Sequence, residues 1–181
     1  MKRITALAAV LVLAGGGTAN AQEQEKISTS AGVSGISFTY GLAKNFLVKT
    51  AEQASQELYS FQPTKDVRTF GALLGHVADA SKMFCGLAEG SPSRPEDASA
   101  EKLTDKAALV AALNDAFAYC DKVTAGLTDA DLARPVEFFG MKTNVAGVLS
   151  LNAAHNYEHY GNLVTYMRIN GMVPPSSQRG M

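Results

Sequence analysis

Apolar residues along this chain recur at spacings of three and four, the interval that lines side chains along one face of an α-helix. Ile36, Tyr40, Ala43, Leu47, Ala51, Ala54 and Leu58 form the first stripe. Phe61-Gln62-Pro63-Thr64 reads as the turn that ends it, because Pro63 cannot continue a helix. Phe70, Leu73, Leu74, Val77, Phe84 and Leu87 mark a second helix, which stops in the loop-forming run Gly90-Ser91-Pro92-Ser93-Arg94-Pro95. A third helix carries Leu109, Leu113, Ala116, Phe117, Cys120 and Val123 on its buried face. Thr104 is its expected N-cap, with Asp105 in the first turn, where a negative charge suits the helix dipole. Thr128 to Leu132 predicts a short helical turn, and Val136 to Lys142 is the one β-prone stretch, bent at Gly140. Val145, Val148, Leu149, Asn152, His155, His159, Leu163, Tyr166 and Met167 outline a long last helix. Gly171 stops it, and Pro174-Pro175 keeps it stopped.

Four amphipathic helices with little strand predict an all-α, four-helix bundle. The connection from the second helix to the third, from Glu89 to Leu103, is long. Antiparallel neighbours need only a short turn, whereas about 15 residues can carry the chain back along the bundle. Helices two and three then run parallel, and Cys85 and Cys120, each near the C-terminal part of its helix, fall at the same end of the molecule. That placement favours a disulfide in an oxidising compartment. Both cysteines lie on apolar stripes, so two buried free thiols are the alternative.

The chain opens with Met1-Lys2-Arg3, an apolar run from Ile4 to Ala14, and the small-x-small pattern Ala19-Asn20-Ala21. These are the three parts of a signal peptide over residues 1–21, which predicts a secreted or periplasmic protein. The apolar run falls short of the roughly 20 residues a membrane span needs, so an uncleaved anchor is the weaker reading. No cysteine follows the run to carry a lipid, and no later segment is apolar enough to cross a membrane. Residues 22–34 are polar and expected to be flexible, 35–175 form the bundle, and 176–181 are a tail. A chain of 181 residues fits one such domain with a full core. Its net charge is −1, with no basic cluster, and loss of Lys2 and Arg3 makes it more negative. Neither nucleic acid nor an anionic membrane surface is an expected partner.

The chemistry concentrates in the histidines, of which the chain has 3. His155 and His159 are one helical turn apart, so their rings stack on one face of the last helix, and that face is its apolar stripe. Imidazoles there are costly unless their nitrogens find partners. Two neutral imidazoles at this spacing can converge on one metal ion, and His76, bordering the apolar stripe of helix two, can supply a third ligand. Three protein ligands leave a coordination position open, as catalytic sites do. The plainer alternative is three hydrogen-bonded packing histidines. Asn156 stands where a metalloprotease helix would carry Glu, so that motif is absent. Asp79, one turn from His76, is a candidate to orient its ring, or else a solvated carboxylate. Glu158 reads as a surface residue or a partner for Arg168 or Lys142. Asn152 and Asn156 share part of the histidine face and suit either hydrogen bonding to a bound ligand or satisfying neighbours. Tyr40, Tyr157 and Tyr160 are pocket-wall candidates whose ordinary role is packing.

The segment Phe61 to Ala80, FQPTKDVRTFGALLGHVADA, resembles the region around the first metal histidine of the DinB-like superfamily. The segment His155 to Pro175, HNYEHYGNLVTYMRINGMVPP, is similar to that superfamily's last helix and its Gly-x-x-Pro-Pro exit. The resemblance spans nearly all of residues 22–181 in order and spacing. It implies a DinB-like four-helix bundle with a long crossover between helices two and three, and a divalent metal on His76, His155 and His159. Many relatives carry Arg-Gly-Gln after the last histidine. Here Tyr160-Gly161-Asn162 stands there, so a substrate role of that Arg or Gln does not transfer. Zinc or nickel is the expected ion, although imidazole also suits copper and iron. Branches of the superfamily are thiol transferases or isomerases that use low-molecular-weight thiols. An exported protein fits that role less well than metal-assisted hydrolysis of a small molecule. A non-catalytic metal-binding protein and a structural or interaction bundle are the other readings, and a homodimer is expected only from the habits of bundles in general.

Overall fold

A computed structural model describes residues 30–91 and 99–178. In chain order the elements are α1 (Ala31–Gln53), α2 (Phe70–Glu89), α3 (Lys106–Ala125), the single turn α4 (Asp129–Leu132), β1 (Pro135–Phe138), β2 (Met141–Asn144) and α5 (Val145–Ile169). The signal peptide expected at 1–21, residues 22–29, the Pro92–Pro95 part of the crossover and residues 179–181 lie outside the described residues.

Both ends of α1 differ from the sequence expectation. It begins at Ala31, inside the stretch expected to be flexible, because a distant carboxylate caps it. Asp129 Oδ1 accepts from the backbone N–H groups of Gly32 and Val33, at 3.1 and 3.2 Å. Ser30 returns the contact, its hydroxyl accepting from the Asp129 N–H at 2.8 Å. These bonds satisfy donors that a helix start leaves without intrahelical partners. At the other end α1 stops at Gln53, well before Pro63, and the chain continues through a short 3-10 turn over Glu57–Ser60. Side chains take up the last carbonyls. Tyr59 donates its hydroxyl to Ala51 O at 2.7 Å, and Lys106 Nζ donates to Glu52 O and Ala54 O at 2.8 and 2.5 Å. Ala54 and Leu58 are buried, but from the turn and not from a continued helix.

The other helices carry local caps. Thr69 Oγ1 accepts from Ala72 N at the start of α2, and Gly90 ends it with φ of 99°. At α3 the cap is Asp105, one residue later than expected, its carboxylate accepting from Ala108 N at 2.9 Å. The β-prone stretch is a hairpin, with β1 antiparallel to β2 and Phe138 opposite Met141. Phe139 and Gly140 both have positive φ at its tip, which a two-residue hairpin turn of matching twist requires.

The helices form a ring in which α2 packs on α3 and α5, and α1 packs on α5 and α3. Residues that meet across each seam give the directions. Gly71 approaches Leu109 near the starts of α2 and α3, while Tyr119 donates its hydroxyl to Glu89 near their ends, so these two run parallel. Phe46 stacks on Tyr160 and Gln53 reaches Met167, so α1 and α5 run parallel as well. The core centres on Phe70, Phe117, Leu47, Leu74, Leu109 and Leu163. Cys85 and Cys120 are joined by a disulfide across the α2–α3 seam, with Cα atoms 5.3 Å apart and both residues fully buried. Among the described residues no helix is long and apolar enough to cross a membrane.

The bridge closes a loop of separation 35, and loop-closure entropy makes such a bridge worth about 4 kcal/mol. We expect the Cys85→Ser, Cys120→Ser double variant to lose stability of that order in a denaturant titration. Two thiols that alkylate in the unfolded protein without reductant would show that the bridge is absent in solution.

Candidate metal centre

Antiparallel packing of α2 against α5 sets His76 opposite the successive-turn pair His155 and His159. Their Nε2 atoms converge: His155 Nε2 lies 3.2 Å from that of His76 and 3.0 Å from that of His159. One ligating nitrogen from each ring falls within 4.8 Å of the others. Nitrogens bound at 2.0–2.1 Å to one tetrahedral ion stand about 3.3 Å apart, so the cluster is close to a metal-binding geometry before any ion is added. In the metal-free protein an N–H of one tautomer can bridge these contacts, and with all three lone pairs turned inward the donor set fits a divalent ion.

The hydrogen bond at the outer nitrogen of His76 supports that state. His76 Nδ1–H donates to Glu101 Oε2 at 3.2 Å, which leaves Nε2 as the lone-pair nitrogen facing the cluster. Glu101 is held in turn by Arg68, whose Nε donates to Oε1 at 2.7 Å. The side-chain Nδ2 of Asn162 lies 3.4 Å from His159 Nδ1, a contact whose donor and acceptor roles follow the tautomer of the ring. His155 is backed by an apolar wall: its ring meets Phe84 edge-on at 5.6 Å, and Phe84 packs on Phe138 of the hairpin at 5.4 Å.

Glu101 was not legible in the sequence, since it lies in the crossover and belongs to no periodic stripe. Its position rests on Gly75 and Asp79. The crossover backbone passes so close to α2 that a Cβ on Gly75 would lie 2.3 Å from Ala100 O and 2.6 Å from Glu101 Cα. Asp79 accepts from Ser99 Oγ and Ala100 N, both at 2.9 Å, and from Glu101 N at 3.2 Å. The available signal was Gly75, one of the glycines inside α2, whose cost to a helix points to a packing role.

Several sequence candidates have other roles. Asp79 does not orient the His76 ring; its oxygens are taken by the crossover turn, which it folds. Asn152 and Asn156 are fully buried, and their side-chain oxygens each lie 3.4 Å from the Ser81 hydroxyl and not at a ring nitrogen. Asn152 also donates weakly to Cys85 Sγ at 3.6 Å. Tyr160 does not line the site: its ring stacks on Phe46 at 5.0 Å, and its hydroxyl exchanges hydrogen bonds with Ser176. Tyr40 is a core residue, packed edge-on against Phe117. Glu158 is exposed on α5.

Burial and mutual repulsion keep His155 and His159 neutral. Desolvation is the largest cause lowering the His155 pKa to about 4, helped by His76 and Arg68 and opposed by Glu158. His159 is also lowered to about 4, first by desolvation, then by His155, His76 and Arg68, with Glu101 opposing. At neutral pH both rings therefore present lone pairs without first losing a proton.

An up-down-down-up helical bundle with a three-histidine group that can hold a metal ion defines the class of this protein. The DinB superfamily model matches residues 43–163, and the chain belongs to that superfamily. The uncharacterised protein YjoA of Bacillus subtilis (strain 168) is 28% identical over 132 residues, covering 69% of this chain and 82% of that one. Among solved structures, a DinB-like protein from Bacillus cereus superposes with a TM-score of 0.67 at 18% identity, covering 78% of this chain and 94% of that one. The YjoA structure gives 0.65 at 22% identity, covering 81% and 99%. These likenesses carry the fold.

Because the folded rings of His155 and His159 bind protons less readily than the unfolded chain, stability of the metal-free protein rises with pH between about 4 and 6.5. Thermal melts should show Tm falling as pH is lowered through that window, and a Tm flat across it would contradict the buried, neutral state. A Gly75→Ala variant must push the crossover off α2, and we expect a loss of about 1–3 kcal/mol by denaturant titration.

Proposed function

We propose that this protein is an exported metal-dependent enzyme acting on a small molecule at a divalent ion held by His76, His155 and His159. The observation that carries the reading is the convergence of three Nε2 atoms from two helices. Three neutral imidazoles suit zinc or nickel first, with copper and iron as close competitors. Three protein ligands leave a coordination position for water or substrate. The ion would supply Lewis acidity, polarising a substrate oxygen or bringing a bound water to a pKa of about 7. The chain's own residues set the stage for this: Glu101 fixes the tautomer of His76, and Phe84 and Phe138 exclude water on the His155 side. Hydrolysis is favoured over thiol transfer, because the leader sequence directs the protein to a compartment poor in small thiols, and the buried disulfide agrees with an oxidising one.

Elemental analysis of protein purified from its native compartment tests the metal, with about one ion per chain expected and loss of it in His76→Ala. A screen of small esters, amides and lactones tests the chemistry. Turnover should disappear with chelator and in the His155→Ala, His159→Ala double variant. Activity that survives both changes would remove the reading, and full metal occupancy without turnover would leave a metal-binding protein. Glu101→Gln should weaken metal binding about 10- to 100-fold, measured by competition with a chromophoric chelator.

A further inference from the structure

The polar rim beside His76 holds a cation that metal binding alone does not require. Arg68 sits just before the N-cap of α2, its backbone fixed by the Tyr166 hydroxyl, which donates to Arg68 O at 3.0 Å. Its guanidinium meets Glu101 through Nε only, and among the described residues no other bond to that guanidinium forms, which leaves both Nη groups for an incoming molecule. Solvent exposure falls from 42% for the Arg68 side chain to 34% for Glu101 and 24% for His76, so Arg68 is the solvent-facing end of this chain of contacts. We propose that Arg68 is a specificity-determining residue that selects small molecules bearing an anionic oxygen group, carboxylate or phosphate, next to the atom presented to the metal. The inference rests on the metal reading above.

Charge favours this role. Arg68 is joined to His76 through Glu101, whose two oxygens meet the Arg68 Nε and the His76 Nδ1. Glu101 offsets one positive charge. With neutral rings and a divalent ion the centre stays positive, in a chain whose net charge is −1. A planar guanidinium with two free ends suits carboxylate and phosphate oxygens in a two-point contact. The Glu101 and Tyr166 contacts hold it in place beforehand, which reduces the ordering cost of binding.

The test uses zinc-loaded full-length protein and three hydroxamate probes whose metal-binding heads are the same. Acetohydroxamate carries no second charge, succinic acid monohydroxamate adds a carboxylate, and 3-phosphonopropanohydroxamate adds a phosphonate. Calorimetry should show a charged tail binding about 2- to 5-fold more tightly than acetohydroxamate, the range for a partly exposed ion pair. Which charged tail wins separates a carboxylate from a phosphate preference. The advantage should shrink in Arg68→Lys and vanish in Arg68→Gln. In Glu101→Gln it should persist even as metal affinity falls, because the ratio between probes cancels the metal term. Equal affinities in the wild type, or an advantage that survives Arg68→Gln, would overturn the inference while leaving the metal reading intact. Wild-type protein that takes up no zinc would overturn both.

Discussion

The backbone of Ala100 occupies the space that a side chain at position 75 would need, and this contact organises the site. It brings the crossover directly onto α2, one residue from His76. Asp79 then folds the crossover by accepting two backbone N–H bonds and one hydroxyl bond. Glu101 emerges from that turn aimed at the His76 ring, with Arg68 on its far side. A connection that in topological terms only returns the chain along the bundle therefore also supplies the polar rim of the site.

The inner face of α5 is the second constraint. A helix buried in a bundle usually presents an apolar stripe, yet Asn152, Asn156 and His159 lie within this one. Each polar group there loses hydration, which is costly unless a partner replaces the water. Ser81 serves the two asparagines, and the rings rely on Glu101, Asn162 and the position where their nitrogens meet. Nδ1 of His155 and Nδ2 of Asn156 are buried without a partner among the described residues. Such groups lower the stability of a core, and the Tyr40 hydroxyl and Thr50 Oγ1 on α1 are buried in the same way among the described residues. The disulfide lies beside the inner face of α5, with Asn152 against both sulfurs, and ties α2 to α3, which stiffens the helix that carries His76.

Helix identity was written in the chain because period-3.6 burial is a local signal, and α2, α3 and α5 needed nothing more. The ends of α1 were not, because its first N–H groups are capped by Asp129 and its last carbonyls by Lys106, residues far away in sequence. The spacing of His155 and His159 was equally local, since four residues make about one turn. The third histidine joined the candidate set from its place on an apolar stripe, strengthened by a family resemblance.

By itself, then, the sequence determined an all-α bundle, the long crossover and the three histidines, since each depends on patterns within a single segment. Only the tertiary structure decided which carboxylate meets His76, because Asp79 and Glu101 both lie within reach in principle and the backbone contact at Gly75 selects between them. It likewise moved Asn152, Asn156 and Tyr160 from the site to the framework. Hydrogen-bond partners are chosen by packing between segments, and packing between segments is not a property of any one of them.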